Sequence, residues 1–242
     1  MSGETFPRVR CEVPVNPYMK SLSSSETGAL RILKRTLKSM VEPSAPAKSA
    51  GALNPPVLCQ LKIRLLGTRP HIWRRVTVPG DITLPRLHDV IQIAMGWDDA
   101  HLYQFVFRKT VYEVKGDWNE DAGFRRREIF DVSKFRLGDF VHAKGDRLSY
   151  KYDMGDDWDH ALLVEKWTPC EVRPKCAACL AGARACPPED CGGVYGFYRN
   201  LEILNDPGHP EREELVEWLG DEFDEEFFDI DTVSGQLARL RV

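Results

Sequence analysis

The chain has 242 residues, 43% of them hydrophobic, and a formal net charge of −4. That much apolar material can bury a substantial core, which excludes wholesale disorder, and the net charge gives no global case for nucleic-acid binding. No run approaches the ~18 apolar residues of a membrane span. Met1-Ser2-Gly3-Glu4 begins no basic-then-apolar leader, so the expectation is a cytoplasmic protein with no membrane partner.

Residues 1–55 carry eight Lys/Arg against four Asp/Glu and read as a flexible basic extension and linker. Within it, Leu30, Leu33, Leu37 and Met40 keep helical spacing over Gly28–Val41, beside the basic Arg31, Lys34, Arg35 and Lys38. Glu42–Pro56 then has the Pro, Ala, Ser and Gly content of a linker. The remainder, 56–242, reads as one domain.

From Val57, Cys59, Leu61, Ile63 and Leu65 alternate with polar residues, which predicts a strand with one buried face. A second strand is expected over Ile72–Val78. Leu84, Leu87, His88, Ile91, Ala94 and Met95 mark one face of a helix that Gly96 ends; His88 on that face reads as a core histidine. Strands follow at His101–Phe107 and Thr110–Val114, then an exposed loop over Lys115–Arg127. Leu148, Tyr150 and Tyr152 alternate in a further strand, and Ala161–Trp167 forms another. The acidic stretch Asp153–His160 between them has hairpin-turn composition.

The C-terminal part turns helical: a stripe from Val194 to Leu204, a break at Asp206-Pro207-Gly208-His209-Pro210, a second helix over Glu211–Leu219 stopped by Gly220, and a last one N-capped by Asp231. Strands first and helices last predict an α+β fold: an antiparallel sheet with flanking helices and a C-terminal helical segment.

Five of the seven cysteines fall between Cys170 and Cys191. Without a secretion leader, such clustering points to metal or redox chemistry rather than a disulfide framework. Cys176 and Cys179 have the two-residue spacing of a zinc knuckle, and Cys186 and Cys191 would close the site. The expected zinc ligands are therefore Cys176, Cys179, Cys186 and Cys191, with His160 or Cys170 as possible substitutes, inside a loop spanning 170–193. Free buried thiols, or a Cys186–Cys191 disulfide, are the alternatives.

A second constellation is carboxylate-rich. Asp153, Asp156 and His160 in the turn, with Glu189 and Asp190 from the cysteine loop, could hold a catalytic divalent cation, although Asp and Gly also populate turns for conformational reasons. Gly192-Gly193 at a helix start offers free backbone N–H groups to an anion. No Walker, dinucleotide, Gly-x-Ser-x-Gly or His-Glu-x-x-His motif is present.

Several stretches together resemble the plasmid pRiA4b ORF-3-like family, which includes insertion-element passenger proteins of the TnpR type. They are Pro70-His71-Ile72-Trp73-Arg74-Arg75-Val76; Leu87 to Trp97 with His101-Leu102; Tyr150 to His160; Cys186-Pro187-Pro188-Glu189-Asp190-Cys191-Gly192-Gly193; Asp206 to Glu211; and Phe227-Phe228-Asp229. The resemblance spans about residues 57–240. It implies an α+β fold, a mobile-element setting and shared Cys179, Cys186 and Cys191, with Cys176 an addition, and it implies no reaction.

Two functions compete. One is a zinc-stabilised interaction module that presents its acidic helices to a protein partner; residues 202–231 hold thirteen Asp/Glu and one Arg. The other is a metal-dependent hydrolase or nuclease built on the Asp153–His160 turn with Glu189 and Asp190. Nucleic acid is a further partner to weigh, through the basic arm with Arg69, Arg74, Arg75 and Arg125–Arg127.

Overall fold

The computed structural model describes residues 51–116, 129–220 and 223–242. The arm helix expected at Gly28–Val41, Arg125–Arg127 and most of the Lys115–Arg127 loop lie outside these residues. Among the described residues no helix is long and apolar enough to cross a membrane.

Strand β1 (Val57–Leu65) alternates buried and half-buried residues along its whole length, as its period-two pattern requires. Strand β2 (Trp73–Pro79) follows, then helix α1 (Leu84–Met95). The Thr83 hydroxyl caps α1 by accepting from the Arg86 N–H, and Gly96 ends it with φ of 96°, a left-handed conformation that costs glycine little. Strands β3 (Tyr103–Phe107) and β4 (Thr110–Glu113) form a hairpin, and the short β5 (Ile129–Asp131) pairs parallel with β4. Two single 3-10 turns lead to β6 (Arg147–Tyr152), β7 (Trp158–Pro169) and β8 (Ala178–Ala183). Helices α2 (Gly193–Asn205), α3 (Arg212–Leu219) and α4 (Ile230–Arg239) complete the chain.

The eight strands make one sheet in the order β5-β4-β3-β6-β7-β1-β2-β8, antiparallel except at β4/β5. This is the expected α+β fold. The buried face collects Cys59, Leu61, Ile63, Leu65, Val76, Val78, Tyr150, Tyr152, His160, Leu162 and Val164. Leu87, Val90, Ile91 and Ala94 of α1 and Leu237 of α4 join the same apolar core. Burying a Leu or Ile side chain contributes about 1.5–3 kcal/mol, so α1 is held by its apolar stripe.

Four details differ from the sequence expectations. The stretch Ala178–Ala183 is strand β8, paired with β2, rather than irregular loop; its Ala, Leu and Gly content hides a strand whose partner lies about a hundred residues upstream. Strand β7 begins at Trp158, so the acidic hairpin turn is confined to 153–157. Asp229, not Asp231, caps α4: its carboxylate accepts from the N–H groups of Asp231 and Thr232. Arg74 is 2% exposed and donates to the carbonyls of Trp73, Ala94, Ala183 and Arg184, so it is a structural cation and unavailable to an external polyanion.

Candidate metal centre

Antiparallel pairing of β3 with β6 places Tyr103 opposite Tyr152. The residue entering β3, His101, therefore lies beside the residue leaving β6, Asp153. The Asp153 N–H donates to the Leu102 carbonyl at 2.9 Å, which locks the two chain segments together. The loop carrying Glu189 and Asp190 is tied to the same place from the helix side. Trp97, just past α1, donates its indole N–H to the Pro187 carbonyl at 3.0 Å, and the Asp98 N–H donates to Glu189 Oε1 at 3.0 Å. Trp97 also stacks on Tyr152, with ring centroids 4.9 Å apart.

These restraints converge on one atom. His101 Nε2 lies 3.2 Å from Asp190 Oδ1, 3.7 Å from Asp153 Oδ2 and 4.0 Å from Glu189 Oε2. None of the three is aligned as a hydrogen bond, and Nε2 is shielded from solvent with no hydrogen-bond partner. The inner two carboxylates are tethered through their other oxygen. Asp153 Oδ1 accepts from the Gly155 N–H at 2.7 Å. Glu189 Oε1 accepts from Asp98 and from the Tyr152 hydroxyl at 2.7 Å. Tyr152 in turn accepts from the His101 N–H at 3.2 Å. Each tether consumes one oxygen and leaves its partner facing the imidazole, the arrangement by which outer groups orient metal ligands.

His101, Asp153 and Asp190 bring one ligand atom each within 4.8 Å of one another. Among the described residues no other three His, Cys, Asp or Glu do so. One side of the group is open, since the Asp190 side chain is 71% exposed while that of Asp153 is 9% exposed. Asp153 and Asp190 also share left-handed backbone, with φ of 56° and 58°. Asp tolerates that region better than most residues.

The remaining sequence candidates fall elsewhere. Asp156 Oδ2 accepts from the Gly192 N–H at 3.1 Å, so it supplies the anion at the start of α2 and braces the turn against the Asp190–Gly193 segment. His160 is fully buried on the core face of β7. Its Nδ1 meets the Trp158 carbonyl at 3.0 Å, and its ring lies edge-on to Trp97 at 5.3 Å. Burial holds its pKa down at about 4, so it is a neutral core imidazole at physiological pH. His88 is also a core residue, bonded to the Tyr150 hydroxyl at 2.8 Å and to Asp99 at 2.7 Å.

The cysteines are not gathered into one group. Cys176 is exposed and bridges to Arg241 near the C-terminus, while the Cys170 N–H donates to the Pro56 carbonyl. Cys179 is in β8, and Cys186 and Cys191 bracket the Glu189–Asp190 segment. The six described cysteines are free thiols. Burial pushes the thiols of Cys179 and Cys186 up, against a smaller downward pull from Arg74, and pushes Cys191 to about 12.

His101 is the site residue that sequence reasoning missed. It stands fifty-one positions before Tyr152, and no spacing rule joins them. Its trace in the sequence was membership of the His101-Leu102 pair in a family-like stretch; the β3/β6 register supplies the rest.

The comparisons with known proteins agree on kinship. The uncharacterized protein y4hQ of Sinorhizobium fredii (strain NBRC 101917 / NGR234) is 37% identical over 162 residues, covering 66% of this chain and 80% of its own. The crystal structure of the protein of unknown function MM3350 from Methanosarcina mazei Go1 superposes with a TM-score of 0.64 at 36% identity, covering 74% of this chain and 98% of that one. The family model described as plasmid pRiA4b ORF-3-like protein matches residues 58–232, which takes in the sheet from the second residue of β1, helices α1 to α3 and every residue of the His101 cluster. The chain belongs to the plasmid pRiA4b ORF-3-like protein family.

Proposed function

We propose that this protein binds one divalent cation through His101, Asp153, Glu189 and Asp190 and uses it for hydrolytic chemistry. The reading is carried by one observation: an imidazole nitrogen with no hydrogen-bond partner is faced by three carboxylate oxygens at 3.2–4.0 Å. Three carboxylates sum to −3, which a divalent cation offsets to −1. Mixed carboxylate and imidazole donors suit manganese, iron or zinc. A cation in such an open site supplies a Lewis acid and an activated water. The chain's own contribution is to hold the donors: Tyr152 and the Asp98 N–H fix Glu189, the Gly155 N–H fixes Asp153, and Trp97 fixes the loop between them.

Zinc held by Cys176, Cys179, Cys186 and Cys191 as an interaction module is a weaker reading. Those sulfurs do not converge among the described residues, and burial favours the protonated thiol at Cys179, Cys186 and Cys191. Elemental analysis after dialysis against manganese separates the two. The expected result is one metal per chain in the wild type and in Cys179→Ser, and none in His101→Ala or Asp153→Asn. Metal lost in Cys179→Ser but kept in His101→Ala would reverse the assignment. Metal-dependent cleavage of bis(p-nitrophenyl) phosphate or p-nitrophenyl acetate, absent in Asp153→Asn, tests the hydrolytic half; cleavage of neither sinks it.

A further inference from the structure

The sheet has a second face, which the core does not use. Alternation along β1, β2 and β6 sends Lys62, Arg64, Trp73, Arg75 and Arg147 outward, each half-buried or exposed, while Leu61, Ile63, Arg74, Val76 and Leu148 point inward. The register aligns them into rows. Arg64 lies directly opposite Trp73, and Lys62 opposite Arg75. Across β7, Leu163 lies opposite both Lys62 and Arg147. Lys62 and Arg64 are therefore ~6.7 Å apart along their strand, and Lys62 and Arg147 roughly 10 Å apart across two strand spacings.

The acidic residues of this face are already engaged. Glu165 holds Arg75 through two hydrogen bonds, at 2.5 and 2.9 Å, and Asp159 pairs with Lys151 at 3.4 Å. Among the described residues Lys62, Arg64 and Arg147 have no carboxylate within ion-pair distance. Lys62 instead rests over the Trp73 ring, 4.5 Å from its centroid, and Arg75 lies 5.2 Å from the same ring. The face thus sets Arg64 opposite the Trp73 ring and Lys62 over it, with Arg147 two strand spacings beyond Lys62, and Lys62 also helps hold down the Glu165 carboxyl.

A polyanion complements that charge, and the identity of the polyanion follows from the ring. A single nucleic-acid strand uses both features at once: its phosphates pair with the cations and an unpaired base stacks on the ring. We infer that the outer face of the sheet, centred on Lys62, Arg64, Trp73 and Arg147, binds single-stranded nucleic acid through its phosphates and one stacked base. The surface shares no residue with the cation centre. Arg74, grouped with that arm in sequence, takes no part because it is buried.

The test is fluorescence anisotropy of the full-length protein with labelled single-stranded DNA and RNA oligonucleotides, over a range of salt concentrations. Wild type is expected to bind with salt-dependent affinity. The double variant Lys62→Gln/Arg147→Gln should bind at least tenfold more weakly, with the salt slope reduced by about 1.4, because each neutralised phosphate contributes about 0.7 for a single strand. Trp73→Leu should lose about tenfold with the slope unchanged, the signature of lost stacking. DNA and RNA arms show whether the 2′-hydroxyl contributes. All variants should keep the wild-type melting temperature and manganese uptake, so a lost cation centre and a lost nucleic-acid face register separately. Absence of binding at low salt overturns the inference, as do face variants that bind like wild type, which would assign binding to the arm. Equal binding of a duplex or of phosphatidylserine vesicles also overturns it, since neither needs a stacked base.

Discussion

A cation at His101 relieves repulsion among the carboxylates gathered there. Those of Asp190, Asp153 and Glu189 stand 3.2, 3.7 and 4.0 Å from His101 Nε2, the last two at most about a sixth exposed, and neighbouring like charges repel less when something positive lies among them. A ligand that binds only the folded state raises its stability, by about 2.7 kcal/mol at a hundredfold excess over Kd. Manganese should therefore raise the melting temperature of the wild type, EDTA should reverse the rise, and His101→Ala should show neither effect. Tyr152→Phe removes only the hydroxyl that fixes Glu189 and the His101 N–H. It should weaken manganese binding about 10–100-fold, the usual consequence of losing an outer-shell partner, while circular dichroism stays native. Unchanged affinity in Tyr152→Phe would mean that the loop orients Glu189 without help.

Between elements, the decisive contact is the one that seats helix α2 against the loop bearing Glu189 and Asp190. A Cβ added at Gly196 would lie 1.8 Å from the Cys191 carbonyl oxygen, and one added at Gly193 would lie 2.4 Å from that of Asp156. These obstacles are backbone and cannot rotate away. Gly196→Ala should cost about 1–3 kcal/mol by overpacking and weaken cation uptake with it, measured by urea unfolding and manganese titration. At this scale much was legible in the sequence. Period-two alternation found β1, and β6 in part, while an apolar stripe ended by Gly96 found α1 to the residue. Strand β8 was not legible, because Ala-Cys-Leu-Ala-Gly-Ala carries almost no pattern and its identity comes from pairing with β2. The candidate site was half legible. The turn and the loop were both singled out as acidic, but their meeting point depends on the β3/β6 register and on Trp97 reaching Pro187, neither of which has a local signature.

Across the whole molecule, buried and paired ionisable groups set the response to pH. Burial holds His160 at about 4 against an ordinary 6.5, and burial lowers His88 as well. The unfolded chain therefore takes up these protons first, so the folded state loses stability as pH falls from about 6.5 towards 4. Below that point His160 adds no further loss. In urea unfolding at stepped pH, the advantage of wild type over His160→Gln should shrink across this window; a constant difference would contradict the buried, neutral imidazole. Glu165 acts at lower pH: its hydrogen bonds to Arg75 hold its carboxyl down at about 2. Stability from that pair is present above about 4.5 and lost as pH falls towards 2, so Glu165→Gln should differ from wild type at pH 6 and converge with it near pH 2.

The central claim is that His101, Asp153, Glu189 and Asp190 are ligands of one cation. Anomalous diffraction from crystals soaked in manganese reads it directly. The predicted result is a single strong anomalous peak within bonding distance of His101 Nε2 and of the carboxylates of Asp153 and Asp190, absent in Asp153→Asn crystals. A peak among the sulfurs of Cys179, Cys186 and Cys191, or no peak at His101 at saturating manganese, would contradict it.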